Sequence, residues 1–381
     1  MRIMKSFEWA KGLQIVADWA MGFRISPFWR RFFPIRCRSG GTLRGRLCLA
    51  VSLAAVVTLA GCARREPVQA VEGGGAKPLV KVRFRTDWYP QAEHGGFYQA
   101  LAKGYYRDAG IDVEIIQGGP GPTMPQWIAA GTTDLAMGSS DGVMIYVREG
   151  LPVVIVGAYM EHDPQAVLVH DESPVRRFED LDGKTIMAIP GSNWIDFIKA
   201  QYHIDFRLIP GNYGIAQFMA DPKFIQQCFV TNEPYYVLKN GGHPRTLLIA
   251  DSGFNPYRAI FATREFAREH PDAVRAFLAA SIRGWEEFMN GDPSPAKAMI
   301  ASRNEQMSME FMDYSIRAMR DRQLVAGKPE LGERTGLMTR KRMREMSDAL
   351  ARLKIIPEPM PLDRFVSFEF LPPELKAAGA N

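Results

Sequence analysis

Cysteine is scarce in this chain. Of four among 381 residues, Cys37, Cys48 and Cys62 fall within the first 62, so Cys228 has no partner for an intramolecular disulfide unless Cys62 supplies it. Cys228 stands in an apolar run and reads as a small buried hydrophobe rather than a reactive thiol. Also missing are a paired CxxC, HExxH and a phosphate-loop pattern, which removes the usual signatures of zinc and nucleotide chemistry. A non-enzyme is expected, with no catalytic residue, no metal and no cofactor. No internal repeat occurs.

A basic body is missing too. The formal charge of +5 comes from the leader: residues 1–61 hold ten Lys/Arg against Glu8 and Asp18, and the remainder holds 37 Lys/Arg against 40 Asp/Glu, a net of −3. Nucleic acid is therefore not an expected partner. Leu47–Gly61 is an uncharged apolar run of 15 residues behind Arg44 and Arg46, too short to span a bilayer comfortably and shaped like a secretory signal. Leu59-Ala60-Gly61-Cys62 resembles the bacterial lipoprotein signal, which implies acylation of Cys62; a plain signal peptide or N-terminal anchor is the alternative. Residues 1–43 exceed what a signal needs, and a start assigned too far upstream accounts for them simply. Residues 62–79, rich in Gly, Pro and polar side chains, read as a flexible tether. Location in the periplasm or at the cell surface follows.

The body alternates strand and helix patterns. Val80, Val82 and Phe84, with Lys81, Arg83 and Arg85 between them, predict a strand that delivers Asp87, Trp88 and Tyr89 to its end, which is where ligands sit in an open α/β sheet. From His94 the spacing of Phe97, Leu101 and Tyr105 predicts a helix, and Gly95 and Gly96 permit close approach of another object. Further strands are expected at Ile111–Ile116, Asp134–Met137, Pro152–Tyr159, Ala166–Val169, Lys184–Ile189, Asp205–Ile209, Gln227–Thr231, Arg245–Ala250 and Arg258–Thr263. Thr123, Ser140 or Asp141, and Ser192 or Asn193 are candidate helix caps. Helices are expected at Glu265–His270, Pro271–Met289, Ser294–Ser302, Ser308–Gln323 and Thr339–Leu353, with their methionines as core filler, and residues 357–381 as a poorly ordered tail.

The segments TDWYP (Thr86–Pro90), HGGFYQALAKGYYRDAGIDVEII (His94–Ile116), AAGTTDLAMGSSD (Ala129–Asp141), LDGKTIMAIPG (Leu181–Gly191) and FVTNEPYYV (Phe229–Val237) together resemble the substrate-binding proteins of ABC transporters related to thiamine-pyrimidine-precursor, sulfonate and nitrate binders. That family also contains the fungal pyrimidine synthase, and the likeness runs from about Lys81 to Phe288. It implies an α/β, two-lobed periplasmic-binding-protein fold of type II, with a mostly parallel sheet in each lobe and a helical C-terminal segment packed on the first. Residues 80–169 and 254–356 would form lobe one and 170–253 lobe two, hinged near Val169–Glu172 and Asp251–Tyr257. It also implies a small-molecule ligand, and a permease with its ATPase as partners; the body is expected to be a monomer tied to the membrane by lipid.

Asp87, Trp88, Tyr89, His94, Ser139, Ser140, Asn193, Trp194, Tyr213, Asn232, Glu233 and Tyr235 are the candidate ligand-binding residues. Aromatic faces with a few polar groups suit a planar heterocycle, although Trp88 and Trp194 also fit simple burial. By resemblance, Glu233 would accept hydrogen bonds from a ligand amine or ring nitrogen. The synthase uses a histidine equivalent to His94, but its cysteine-rich run is absent here, so His94 reads as a ligand contact or a cap. Sulfonate and nitrate relatives would need an Arg or Lys in the cleft, and Arg207 and Arg258 are not obviously there. A thiamine pyrimidine precursor is favoured, then riboflavin or another heterocycle.

Overall fold

In the computed structural model, residues 78–119, 123–212 and 214–379 are described. The leader, Cys62, the stretch to residue 77 and Tyr213 lie outside the described residues.

Strand β1 (Val80–Arg85) follows the alternation of its sequence, burying Val82 and Phe84 while Lys81 stays exposed. A short 3-10 turn (Ala92–His94) leads into α1 (Gly95–Ala102). The expected continuous helix stops there, because Gly104 adopts a left-handed φ of 77° and α2 (Tyr105–Asp108) starts afresh. Next come β2 (Ile111–Ile116), α3 (Met124–Ala129), β3 (Leu135–Ser139), α4 (Ser140–Arg148) and β4 (Val153–Met160). At the start of α3 the Thr123 backbone N–H donates to Gln126 Oε1 at 2.5 Å.

The chain then crosses into β5 (Gln165–His170), β6 (Thr185–Ala188), α5 (Asn193–Tyr202), β7 (Arg207–Pro210), α6 (Ala216–Ala220), β8 (Gln226–Phe229), α7 (Glu233–Lys239) and β9 (Pro244–Leu248). It returns as β10 (Arg258–Thr263), followed by α8 (Arg264–Glu269), α9 (Pro271–Asn290), α10 (Ser294–Ala301), α11 (Met309–Asp321), α12 (Arg340–Arg352) and α13 (Pro373–Ala378).

Two five-stranded sheets result, in the orders β2-β1-β3-β10-β4 and β7-β6-β8-β5-β9. In each, four strands share a direction and one is reversed: β10 in the first sheet, β5 in the second. Both reversed strands are the ones that arrive directly from the other lobe. Each sheet is therefore mixed, with parallel order kept on the strands joined through helices.

Three expectations are corrected. The first crossing is Glu161–Pro164, not Val169–Glu172, because β5 pairs with β8 and β9 and so belongs to lobe two. Residues 357–379 are not a loose tail: Phe365, Phe368, Phe370, Leu371 and Leu375 are buried, and Val366 bridges to Ile155 beside β4. The C-terminal helices do not pack on lobe one alone. Phe311 of α11 stacks on Tyr235 of α7 with centroids 4.6 Å apart, and Ser315 donates to the Thr231 carbonyl at 2.7 Å.

The paired glycines of α1 have a packing cause. A Cβ on Gly95 would collide with the Phe288 ring of α9 and one on Gly96 with Trp285, while a Cβ on Gly284 would strike the Gly96 carbonyl. The close object these glycines permit is helix α9. The seam seats Phe97, Trp285 and Phe288 in full burial, each worth roughly 1.5–3 kcal/mol in transfer free energy. Cys228 is free and buried, as its apolar setting predicts.

Candidate functional site

The strand ends of both lobes face a cavity of about 780 Å³. From lobe one it receives Asp87, Trp88 and Tyr89 after β1, then Glu93 and His94, Met137 of β3, Tyr159 and Met160 of β4, and Arg258 at the start of β10. Lobe two contributes Phe229, Asn232, Glu233 and Tyr236, and the segment around Asn304–Met307 with Phe311 closes the side. Trp88 meets Tyr89 edge-on, with centroids 5.6 Å apart and planes at 71°. A second, smaller cavity of about 420 Å³ shares Asp87, Trp88, Met137 and Arg258 and adds Ser139, Trp127 and Tyr146.

A charged cluster forms the wall behind Trp88. His94, fully buried, places Nε2 at 3.1 Å from Asp87 Oδ1. The other oxygen of Asp87 accepts from Arg258 Nη2. Arg258 Nε donates to the Tyr159 hydroxyl at 3.1 Å, and its Nη1 lies 3.6 Å from Asp163 Oδ2. Burial by itself would raise the Asp87 carboxyl, but the Arg258 guanidinium and then the His94 hydrogen bond outweigh it and hold the group at about 2. Asp163 moves the other way: its burial dominates and raises it despite Arg258.

Across the cavity the carboxyls are protonated more readily. Glu233 caps its own loop by accepting from the Phe229 backbone N–H at 2.8 Å. Burial nonetheless pushes it up to about 7, and Glu93 adds to the rise. Glu93 is raised by burial as well, while Thr231 donates its hydroxyl to Glu93 Oε1 from the opposite lobe. The cavity thus offers Glu233, held at about 7, and a Glu93 raised by burial, beside an ionised Asp87 already committed to Arg258 and His94.

Of the expected residues, Asp87, Trp88, Tyr89, His94, Asn232 and Glu233 line the larger cavity and Ser139 the smaller one. Ser140 is buried and accepts the Tyr257 backbone N–H at 3.1 Å. Asn193 sits between the lobes, donating Nδ2 to Asp141 Oδ2 at 2.7 Å. Trp194 takes the burial alternative: it is 1% exposed and stacks on Phe206 in the lobe-two core. Tyr235 is likewise buried against Phe311, one residue out of register with the wall, and its neighbour Tyr236 faces the cavity instead. On a helix, consecutive side chains point about 100° apart, so a one-residue error in phase exchanges core for surface. Arg258, which the sequence did not obviously place in the cleft, lines both cavities, and Glu93 and Tyr159 are wall residues that the sequence did not mark. Their strand and turn positions carried no motif, and Arg258 meets Asp87 across 171 residues of chain.

Residues 91–298, just over half of the chain, match the family described as NMT1/THI5 like. The formylaminopyrimidine-binding protein of Halalkalibacterium halodurans is 24% identical over 266 residues, covering 66% of this chain and 78% of that protein. The riboflavin-binding protein RibY of Chloroflexus aurantiacus is 24% identical over 258 residues, covering 62% and 72%. A 4-amino-5-hydroxymethyl-2-methylpyrimidine phosphate synthase of Saccharomyces cerevisiae, THI11, is 23% identical over 247 residues, covering 56% and 72%. Among solved structures, the periplasmic aliphatic sulphonate-binding protein SsuA of Escherichia coli superposes with a TM-score of 0.58 at 14% identity, covering 75% of this chain and 92% of that one, a likeness of fold. The extent of the family match, over half of the chain, shows that the chain belongs to the NMT1/THI5-like family.

Proposed function

We propose that the protein is the extracytoplasmic solute-binding component of an ABC importer, capturing a small planar heterocycle between its lobes and presenting it to a permease. The observation that supports this most is the composition of the larger cavity: Trp88 and Tyr89 stand on one lobe and Tyr236, Asn232 and Glu233 on the other. Aromatic faces provide stacking area at low entropic cost, and the Glu233 carboxyl, held at about 7, accepts from exocyclic amines when ionised and donates to ring nitrogens when protonated. Relatives named for formylaminopyrimidine and riboflavin bind molecules of that shape, so a thiamine pyrimidine precursor is the first candidate and a flavin the second. Acylation of Cys62 would tether a monomeric body outside the membrane. Among the described residues no helix is long and apolar enough to cross one.

Thermal unfolding of the full chain with a 4-amino-5-hydroxymethylpyrimidine, riboflavin and an alkanesulfonate tests the ligand class. Ligand at 100 times its dissociation constant adds about 2.7 kcal/mol of stability. Trp88→Ala and Glu233→Ala remove most of that gain. No response to any of the three ends this reading. A pyrimidine-synthase reaction is the second reading, favoured by His94 in the cavity wall and by the yeast relatives. It requires a chemically altered ligand, whereas a binding protein returns its ligand unchanged on extraction and a His94→Asn variant still binds.

A further inference from the structure

We infer that Asp87 is a specificity-determining residue that excludes anions from the cavity by occupying the Arg258 guanidinium in its wall. The inference deepens the proposed reading, since it concerns the same cavity. A buried cation at a strand end is what an anion binder needs, and Arg258 lines both cavities. Each of its three nitrogens faces an oxygen of the protein: Nε the Tyr159 hydroxyl, Nη2 the Asp87 carboxylate, Nη1 the Asp163 carboxyl. Asp163 is 2% exposed on its side chain and lies behind Arg258, whereas the Asp87 side chain is 28% exposed and stands on the cavity side. Asp87 is thus the internal anion of the site. An incoming nitrate or sulfonate would have to displace it from Arg258 and from His94 Nε2, and would meet its negative charge on approach.

Replacing Asp87 should therefore turn the wall into an anion site without any added cation. In Asp87→Ala the vacated volume and the freed Arg258 Nη2 together admit a small oxyanion. In Asp87→Asn the shape is kept and only the charge is lost. The test is thermal unfolding and calorimetric titration of the full-length protein and both variants with nitrate, methanesulfonate and formate at constant ionic strength.

The inference predicts no saturable response in the parent protein. In Asp87→Ala it predicts saturable binding of each anion at least about tenfold tighter than any residual binding by the parent, formate acting as the missing carboxylate, with a weaker gain in Asp87→Asn. Saturable nitrate or methanesulfonate binding by the parent overturns it, as does a cooperatively folded Asp87→Ala that ignores all three anions. If Asp87→Ala folds only when an anion is supplied, the inference stands. If it fails to fold with or without them, Asp87→Asn decides by the same criterion, and failure of both under all anions overturns it. Absence of heterocycle binding in the parent would remove the proposed ligand class and leave this result untouched.

Discussion

Asn193 donates its side-chain amide to Asp141 across the lobe boundary at 2.7 Å, joining the first turn of α5 to the first turn of α4. Both residues sit where a strand gives way to a helix, one in each lobe. The bond therefore reports the juxtaposition of the lobes rather than the stability of either. Asn193→Ala should lower ligand affinity about two- to twelvefold, the value of one hydrogen bond of roughly 0.5–1.5 kcal/mol. Isothermal titration checks this, and an unchanged affinity would show that the contact has no part in closure.

Glu233 gives the cavity a pH dependence whose sign follows from its raised carboxyl, at about 7 in the fold against an ordinary 4.5. Below about 4.5 both folded and unfolded chains hold the proton. Between that and about 7 only the unfolded chain releases it, so this residue's contribution falls as pH rises through the interval and is level above it. Melting temperatures of the parent protein measured against Glu233→Gln from pH 4 to 8 should diverge in that direction. A difference that is flat with pH would refute the assignment.

Arg342 of α12 holds the two crossings together. It pairs with Glu161 Oε2 at 3.1 Å, donates to the Glu161 carbonyl, and reaches the Asn255 carbonyl at 2.8 Å. Glu161 is 1% exposed, and its carboxyl is raised by burial despite the arginine. Removing the partner leaves a buried acid unpaired, which costs about 3–5 kcal/mol. Arg342→Met should lose stability on that scale in urea unfolding at neutral pH, with partial recovery in Glu161→Gln/Arg342→Met.

The α1–α9 seam predicts an intolerance far from the cavity. Gly95→Ala inserts a methyl into the Phe288 ring, and Gly284→Ala drives one into the Gly96 carbonyl. An aromatic ring can shift, but a backbone carbonyl in a helix cannot do so cheaply. Gly95→Ala should cost about 1–3 kcal/mol and Gly284→Ala more, measured by denaturant midpoints at an unchanged m-value.

How far the sequence could be read depended on the range of the forces involved. Period-two and period-3.6 patterns come from local geometry, and they place Ile111–Ile116 and Arg258–Thr263 at their observed bounds, with the long C-terminal helices within two residues. The order of strand and helix and the strand-end position of Asp87 to Tyr89 were determined by the chain's own spacing. The crossing at Glu161–Pro164 was not, because which sheet β5 joins is settled by pairing with β8 and β9 many residues downstream.

The site divides in the same way. Residue chemistry along the chain marked Trp88, His94 and Glu233 as candidates. Only tertiary structure decided that Tyr236 and not Tyr235 meets the cavity, that Trp194 is core, and that Asp87 is bound to Arg258. Those outcomes depend on helix phase against α11 and on a charge pair separated by 171 residues. A local pattern specifies which way a side chain leaves the backbone, and the packing of distant elements determines what it meets.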